Sequence, residues 1–219
     1  MRKVMIYTTS TGKELPTLLD IERIQVNQIV TNRTGTIGEC QKCKMFGKGG
    51  GCPPFAPEFD KVYRDKYQFG YVVVVTIPFD RWMTDKHKEK PNPMSGAFLA
   101  ANFMQVVMKP IETKMAKILA IFGGQVFSAG YCGGCQKCAV KQGQPCAKPK
   151  ERMFSMESTG ILVSDSLEQI GLPKLDWIRY KDKYVPKYTC RVVLLLTDKE
   201  GIQSNIIKEF SKMKGITIL

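Results

Sequence analysis

The sequence of 219 residues lacks the apolar stretches that mark membrane and exported proteins. Its longest apolar run, residues 71–77, is far shorter than the roughly 20 residues that span a bilayer. The chain starts with Arg2 and Lys3, but the apolar run that follows is too short for a signal peptide. We therefore expect a cytoplasmic protein that has no contact with a membrane.

Common catalytic motifs are also missing. There is no G-x-G-x-x-G, no Walker loop and no H-E-x-x-H, so nucleotide binding and zinc protease chemistry have no support. The spacing C-x3-C-x2-C, which is typical of radical S-adenosylmethionine enzymes, does not occur. The one histidine, His87, stands in a charged run and is expected to be a solvated surface residue. No catalytic residue can be assigned, and the sequence does not decide whether the protein is an enzyme.

Cysteine is the residue type that stands out. Eight cysteines in a reducing compartment indicate metal ligands or catalytic groups rather than disulfides. Only Cys190 stands apart, and the other seven form two tight groups: Cys40, Cys43, Cys52 and Cys132, Cys135, Cys138, Cys146. A nucleophile would need only one cysteine, so the clustering favours metal binding.

The second group has the spacing C-x2-C-x2-C-x7-C from Cys132 to Cys146, with Pro149 shortly after it. Its first three cysteines resemble the bacterial ferredoxin pattern, in which closely spaced thiolates bind three irons of a cubane and a more remote cysteine binds the fourth. We predict a 4Fe-4S cluster here. The alternative is a four-thiolate zinc knot, although such knots usually have two C-x2-C pairs and a longer spacer.

The first group, C-x2-C-x8-C-P, offers only three thiolates. Cys-Gln-Lys-Cys occurs in both groups, so the first group looks like the second without its leading cysteine, whose position is taken by Ile37. The fourth ligand can be Cys190, or one iron can stay open to a small molecule, or Cys52 and Cys146 can exchange between clusters. We expect the open or non-cysteine-ligated form, because a lone cysteine on an apolar strand is usually buried as a small hydrophobe.

Apolar periodicity predicts strands and helices in mixed order. The expected strands cover residues 4–8, 69–77, 125–129 and 188–197, and the expected helices cover 13–30, 58–66, 95–122, 150–158 and 202–213. A further short helix is expected to begin at a capping box of Asp165 and Glu168. This order predicts an α/β or α+β fold in a single domain, residues 1–219, with a central sheet of few strands flanked by helices. Two cysteine-rich cluster-binding loops are expected at about 37–57 and 130–150.

The cysteine groups belong to a wider pattern that includes the Cys52-Pro53-Pro54 turn, Arg152 and Ser155-Met156-Glu157-x2-Gly160-Ile161. Together these motifs resemble the family labelled predicted metal-binding proteins, which occurs in methanogenic archaea and other anaerobes. The resemblance covers about residues 35–165. It implies metal binding at the seven clustered cysteines and implies no particular reaction. Taken by itself, Glu157 is expected to be a surface acid, because carboxylates are seldom buried unpaired.

Charge bears on the partners of the protein. With 33 basic and 20 acidic side chains the formal net charge is +13, which favours contact with acidic surfaces. Two oxidised four-thiolate clusters would lower it by about 4. We therefore expect an iron-sulfur protein with one 4Fe-4S cluster, or two if the first group also holds one, that acts in electron transfer or as a redox accessory with a partner protein. The alternative is a zinc-stabilised nucleic-acid-binding module, for which recognisable motifs are missing.

Overall fold

The computed structural model describes residues 1–44, 46–79, 102–130, 132, 135–177, 184 and 186–219. Two sequence predictions lie outside this part of the chain, namely the surface position of His87 and the first turns, residues 95–101, of the helix expected over 95–122. Within the described ranges, every helix is too short or too polar to cross a bilayer.

A sheet of seven strands forms the centre of the protein, in the order β5-β4-β6-β3-β2-β1-β7. All neighbours are antiparallel except β4 and β5, which are parallel. The strands are β1 Arg2–Thr8, β2 Glu14–Gln25, β3 Phe69–Pro78, β4 Gln125–Ser128, β5 Phe154–Ser155, β6 Tyr188–Thr197 and β7 Ile216–Ile218. With the helices around it, this mixed sheet makes an α+β fold, which confirms one of the two predicted classes.

Six α-helices are described, and they cover both faces of the sheet. They are α1 Arg33–Gln41, α2 Phe59–Val62, α3 Lys109–Ile121, α4 Met156–Thr159, α5 Val163–Gln169 and α6 Gln203–Ser211. On one face, α3 and α6 pack against β1, β2, β3 and β6. On the other face, α2, α4 and α5 pack with Phe127 and Phe154. The second face carries the cysteine loops.

The apolar run at 69–77 is the central strand, as predicted. β3 pairs with β2 on one side and with β6 on the other, and most of its residues are buried. Because both faces of β3 are covered, its side chains need no polar alternation. The predicted strands at 4–8, 125–129 and 188–197 are likewise confirmed.

The helix predicted over residues 13–30 is wrong, because this segment is mainly the long strand β2. Leu15, Leu19 and Ile21 enter the core on one face of the sheet, whereas Ile24 enters the core on the other face. Because this strand contributes apolar residues first to one face of the sheet and then to the other, some of them are three or four residues apart, as in an amphipathic helix. Pairing with β1 and β3 along the strand decides for the extended form.

Three smaller predictions also need correction. The loop expected at about 37–57 begins only after Gln41, because its first residues belong to helix α1. Residues 150–158 form a 3-10 turn at Pro149–Glu151, strand β5 and the start of α4 instead of one helix. The predicted capping box is absent at α5, because Leu162 is its N-cap and Asp165 lies in its first turn. Residues 102–121 are helical, as expected, and include a π-helical turn at Met104–Met108, after which α3 begins with Lys109 and Pro110.

Candidate metal centre

The first cysteine loop begins in the last turn of α1. The Asn32 side chain accepts a hydrogen bond from the Gly35 N–H at 2.9 Å, so the helix starts at a defined residue and carries Cys40 at its other end. The Cys43 N–H then donates to the Cys40 carbonyl oxygen at 3.0 Å, which keeps the two cysteines in one turn. A second turn, in which the Cys52 N–H donates to the Gly49 oxygen at 3.0 Å, holds the third cysteine.

Four thiols lie close enough to influence one another. Burial raises the pKa of Cys52, and the thiols of Cys43, Cys40 and Cys132 raise it further. Burial likewise raises the pKa of Cys40, to which Glu157 and then Cys43 contribute. Negative charges that disfavour one another in this way are the arrangement that a bound cation or cluster stabilises. The structure thus adds Cys132 of the second loop to the three cysteines of the first.

Two buried glycines, Gly50 and Gly51, make the close contact between the two loops. A Cβ atom on Gly51 would overlap the Met153 carbonyl oxygen and lie 2.8 Å from Cys132 Cβ. A Cβ atom on Gly50 would lie 3.3 Å from Cys138 Sγ and 3.2 Å from a Val140 side-chain carbon. Because backbone atoms block any side chain at Gly51, glycine is required there for close approach, whereas a methyl group at Gly50 would have to push neighbouring side chains aside.

Cys138 lies at this contact and has a different environment. Its sulfur accepts hydrogen bonds from the backbone N–H groups of Lys141, Gly50 and Val140, which lower the pKa of the thiol, while burial opposes them. The positive charge of Arg152 lowers this pKa as well. Since the thiolate is the metal-binding form of cysteine, the fold favours ligation at this sulfur.

Arg152, which precedes β5, and Ser158 in α4 bind the carbonyl groups of the first loop. Arg152 donates from Nε and Nη2 to the Gly50 carbonyl oxygen, at 3.1 and 2.7 Å, and from Nη2 to the Phe55 oxygen at 2.8 Å. The Ser158 hydroxyl donates to the Gly51 oxygen at 2.8 Å. These contacts explain why Arg152 and residues 155–161 occur in the same sequence pattern as the cysteines: they hold the backbone of the first cysteine loop.

Replacing Arg152 by glutamine is expected to destabilise the protein by about 2–3 kcal/mol, because two loop carbonyls lose a charged donor. The measurement is urea denaturation at constant metal load. The matched control is Lys148→Gln, which removes an exposed ion pair with Glu151 at 3.3 Å and should change stability by less than about 0.5 kcal/mol. Equal effects of the two substitutions would contradict the role assigned to Arg152.

Glu157 is not the surface acid that the sequence suggests. It lies in the first turn of α4, partly buried, and burial raises the pKa of its carboxyl group, although hydrogen bonds from its own N–H and from Ser155 oppose the shift. Its charge raises the pKa of Cys40, so the two groups are neighbours. The sequence contains one signal for this location of Glu157: Ser155 is a typical helix N-cap residue, and Glu157 follows it by two residues, in the first helical turn.

Cys190 lies on β6 opposite Thr76 and packs against the core on the cysteine side of the sheet. Burial raises the pKa of its thiol to about 11, an increase that Arg191 opposes and Asp176 supports. The charged groups that shift this pKa are Arg191 and Asp176 and include no cysteine of either group, so Cys190 lies apart from both groups. This environment agrees with the packed cysteine expected from the apolar strand.

The remaining predicted ligands, Cys135 and Cys146, lie in the second loop, the former exposed and the latter partly buried. Within the described residues, no three Cys, His, Asp or Glu side chains are close enough to hold a single metal ion. A cubane differs from a single ion because each of its thiolates binds a different iron and the sulfurs stand further apart. The set of donors, seven thiols in two touching loops, fits a thiophilic metal group.

Fold and donors together define a class, namely α+β proteins in which two thiol-rich loops dock on one face of a mixed sheet. Residues 19–196 match the family described as "Predicted metal-binding protein (DUF2284)", and the chain belongs to this family. The match confirms the resemblance carried by the cysteine motifs and extends it over most of the sheet. No curated protein and no solved structure shows significant similarity to the chain.

Proposed function

We propose that this protein binds two 4Fe-4S clusters and transfers electrons through them to a partner protein. The observation that carries the proposal is the contact between the two loops at Gly50 and Gly51, which places two groups of thiols side by side. Electron transfer between two clusters needs such proximity, whereas two independent structural zinc sites do not. The C-x2-C-x2-C spacing from Cys132 to Cys138 supports iron in preference to zinc.

The cysteines divide between the clusters differently from their order in the sequence. We assign Cys40, Cys43, Cys52 and Cys132 to the first cluster, because Cys132 is the thiol of the second loop that influences Cys52. Cys135, Cys138 and Cys146 then hold the second cluster. In this assignment one cysteine of the second loop, Cys132, binds the cluster of the first loop. Two-cluster ferredoxins share ligands between loops in a similar way, but there the last cysteine of a run, and not the first, binds the other cluster.

An open iron site therefore belongs to the second loop. With Cys132 bound to the first cluster, one iron of the second has no cysteine ligand, and a water, a non-cysteine side chain or a small molecule can bind it. The exposed position of Cys135 leaves this loop accessible. The chain itself contributes the N–H groups that donate to Cys138, and such hydrogen bonds to sulfur tune the potential of a cluster.

Lysines around the two loops indicate an acidic partner. Lys44 and Lys48 in the first loop and Lys137 and Lys141 in the second are all exposed. Positive charge at the point where electrons leave would steer an acidic redox protein into position. Electron transfer to such a partner should slow as ionic strength rises, because salt screens charges that are exposed to water.

Anaerobic purification tests the proposal. The expected result is a brown protein with a broad absorption near about 400 nm and about 7 to 8 iron atoms per chain. Reduction by dithionite should bleach this absorption and produce paramagnetic resonance signals from two interacting clusters. A colourless protein with stoichiometric zinc would refute the iron assignment, and salt-sensitive binding of a DNA duplex by that protein would favour the zinc-stabilised nucleic-acid-binding module.

A further inference from the structure

A cavity of about 240 Å³ lies along an open edge of β6. β4 pairs with β6 only at its far end, where Gln125 faces Leu196 and Phe127 faces Leu194. The edge of β6 from Thr189 to Val192 therefore lies beyond β4, and side chains from both faces of the sheet line the space beside it. Neither the family match nor the cysteine motifs assign a role to this cavity.

One wall of the cavity carries polar groups that lack partners. Thr189 is 4% exposed, and its hydroxyl has no hydrogen-bond partner in the described part of the chain. Arg191 Nε lies 3.3 Å from Glu112 Oε2, but neither atom makes a hydrogen bond to another described residue. Arg191 Nε and Glu112 Oε2 are each other's ion-pair partners, whereas the buried Thr189 hydroxyl is available to a molecule in the cavity.

Arg191 shares its carboxylate partner with a second cation. The buried Glu112 carboxylate lies near Arg191 with one oxygen, and Lys109 Nζ lies 2.8 Å from its other oxygen. One carboxylate thus faces two cations here, while the acids Glu157 and Asp176 line other parts of the cavity. An anion that reaches Arg191 and Thr189 would give the guanidinium a second partner and accept from the Thr189 hydroxyl.

The rest of the cavity is mainly apolar. Met156, Val163 and Val192 line it toward the sheet, and Leu175 and Trp177 line it toward solvent. Two acids, Glu157 and Asp176, are among the lining residues, and the Asp176 carboxylate accepts a hydrogen bond from the Tyr184 hydroxyl at 2.5 Å. Apolar walls with a few convergent polar groups are the usual composition of a small-molecule site.

We propose that this cavity binds a small organic acid, with Arg191 and Thr189 holding its carboxylate and the apolar walls enclosing its hydrocarbon body. A cavity of roughly 150 Å³ already holds benzene, so the larger space here suits a single ring or a chain of about five carbons attached to a carboxylate. Glu157 also lines the cavity. Because Glu157 also neighbours Cys40, the bound acid would lie close to the first cysteine group.

Calorimetric titration with benzoate, and with benzamide as its uncharged analogue, tests the proposal. We expect benzoate to bind at least about 10-fold more tightly than benzamide, since a charged hydrogen bond to Arg191 is lost with the amide. Arg191→Gln should abolish this preference, and Thr189→Val should weaken benzoate about 5-fold or more. Arg23→Gln, which removes an arginine that pairs with Glu200 at the surface, is the matched control and should leave both affinities unchanged.

A variant that fills the cavity shows whether lost benzoate binding comes from the cavity itself or from misfolding of a variant. Cys190→Met places a larger side chain in the space, and we expect it to abolish benzoate binding while thermal unfolding and metal content stay as in the parent protein. Equal affinity for benzoate and benzamide, or undiminished binding by Cys190→Met, would overturn the proposal. The inference does not depend on the kind of metal, because ligand affinity and metal content are measured separately.

Discussion

Replacing Cys40 and Cys132 together by alanine is expected to remove one cluster, about 4 of about 8 iron atoms per chain, and to spare the other. The expectation follows from the neighbourhood of Cys132 and Cys52 across the two loops. Replacing Cys132 and Cys146 together should instead remove both clusters, because the two substitutions then fall on different ligand sets. Iron analysis of anaerobically purified protein gives the answer directly.

The opposite pattern of iron loss is expected if the cysteines bind in the two groups that their order in the sequence suggests. If Cys132 shares a cluster with Cys135, Cys138 and Cys146, the Cys132 and Cys146 pair costs one cluster and the Cys40 and Cys132 pair costs two. The matched control is Cys190→Ala, which should retain all the iron because this thiol packs in the core on β6. Circular dichroism of each variant separates loss of a cluster from loss of the fold.

Replacing Gly51 by alanine is expected to separate the two loops. The added methyl group would collide with the backbone of Met153 and Cys132, and backbone atoms cannot move aside as the end of a side chain can. We expect a loss of stability of about 1–3 kcal/mol or more, together with loss of iron from the cluster that Cys132 and Cys52 share. Urea denaturation and iron analysis on the same preparation measure the two effects.

Gly49→Ala provides a control two residues away. A Cβ atom on Gly49 would lie 3.6 Å from the Cys132 carbonyl oxygen, an ordinary van der Waals distance. This variant should keep its iron and change little in stability. If Gly49→Ala and Gly51→Ala lose iron alike, then general stiffening of the loop, and not the close contact at Gly51, is responsible.

Several elements were predictable because their local pattern and their tertiary role agree. The run of valines in β3 is buried on both faces, and the amphipathic pattern of α6 places Ile206 and Phe210 in the core. Gly123 and Gly124, both at positive φ, follow the C-cap residue Phe122, where α3 ends. At such positions propensity, burial and turn chemistry favour the same conformation.

Other elements depend on partners that are distant in sequence. β2 is extended because β1 and β3 pair along it, although its apolar spacing suits a helix. β7, a strand of three residues that pairs with β1, gave no signal of its own. β5 likewise exists because β4 lies parallel to it at Phe127 and Ser128. Short strands are stabilised by their neighbours in the sheet rather than by their own residues.

The kind of chemistry was readable from the sequence alone, because spacing within a short segment limits what its side chains can bind. Seven cysteines in two local groups indicate a thiophilic metal, and the family match agrees with metal binding. The arrangement of those ligands depended on the tertiary structure. Cys132 is 80 residues from Cys52 along the chain, and only the docking of two glycine-lined loops makes them neighbours. The cavity beside Arg191 has the same origin, since residues from α4, β6 and the segment after α5 meet only in the folded protein.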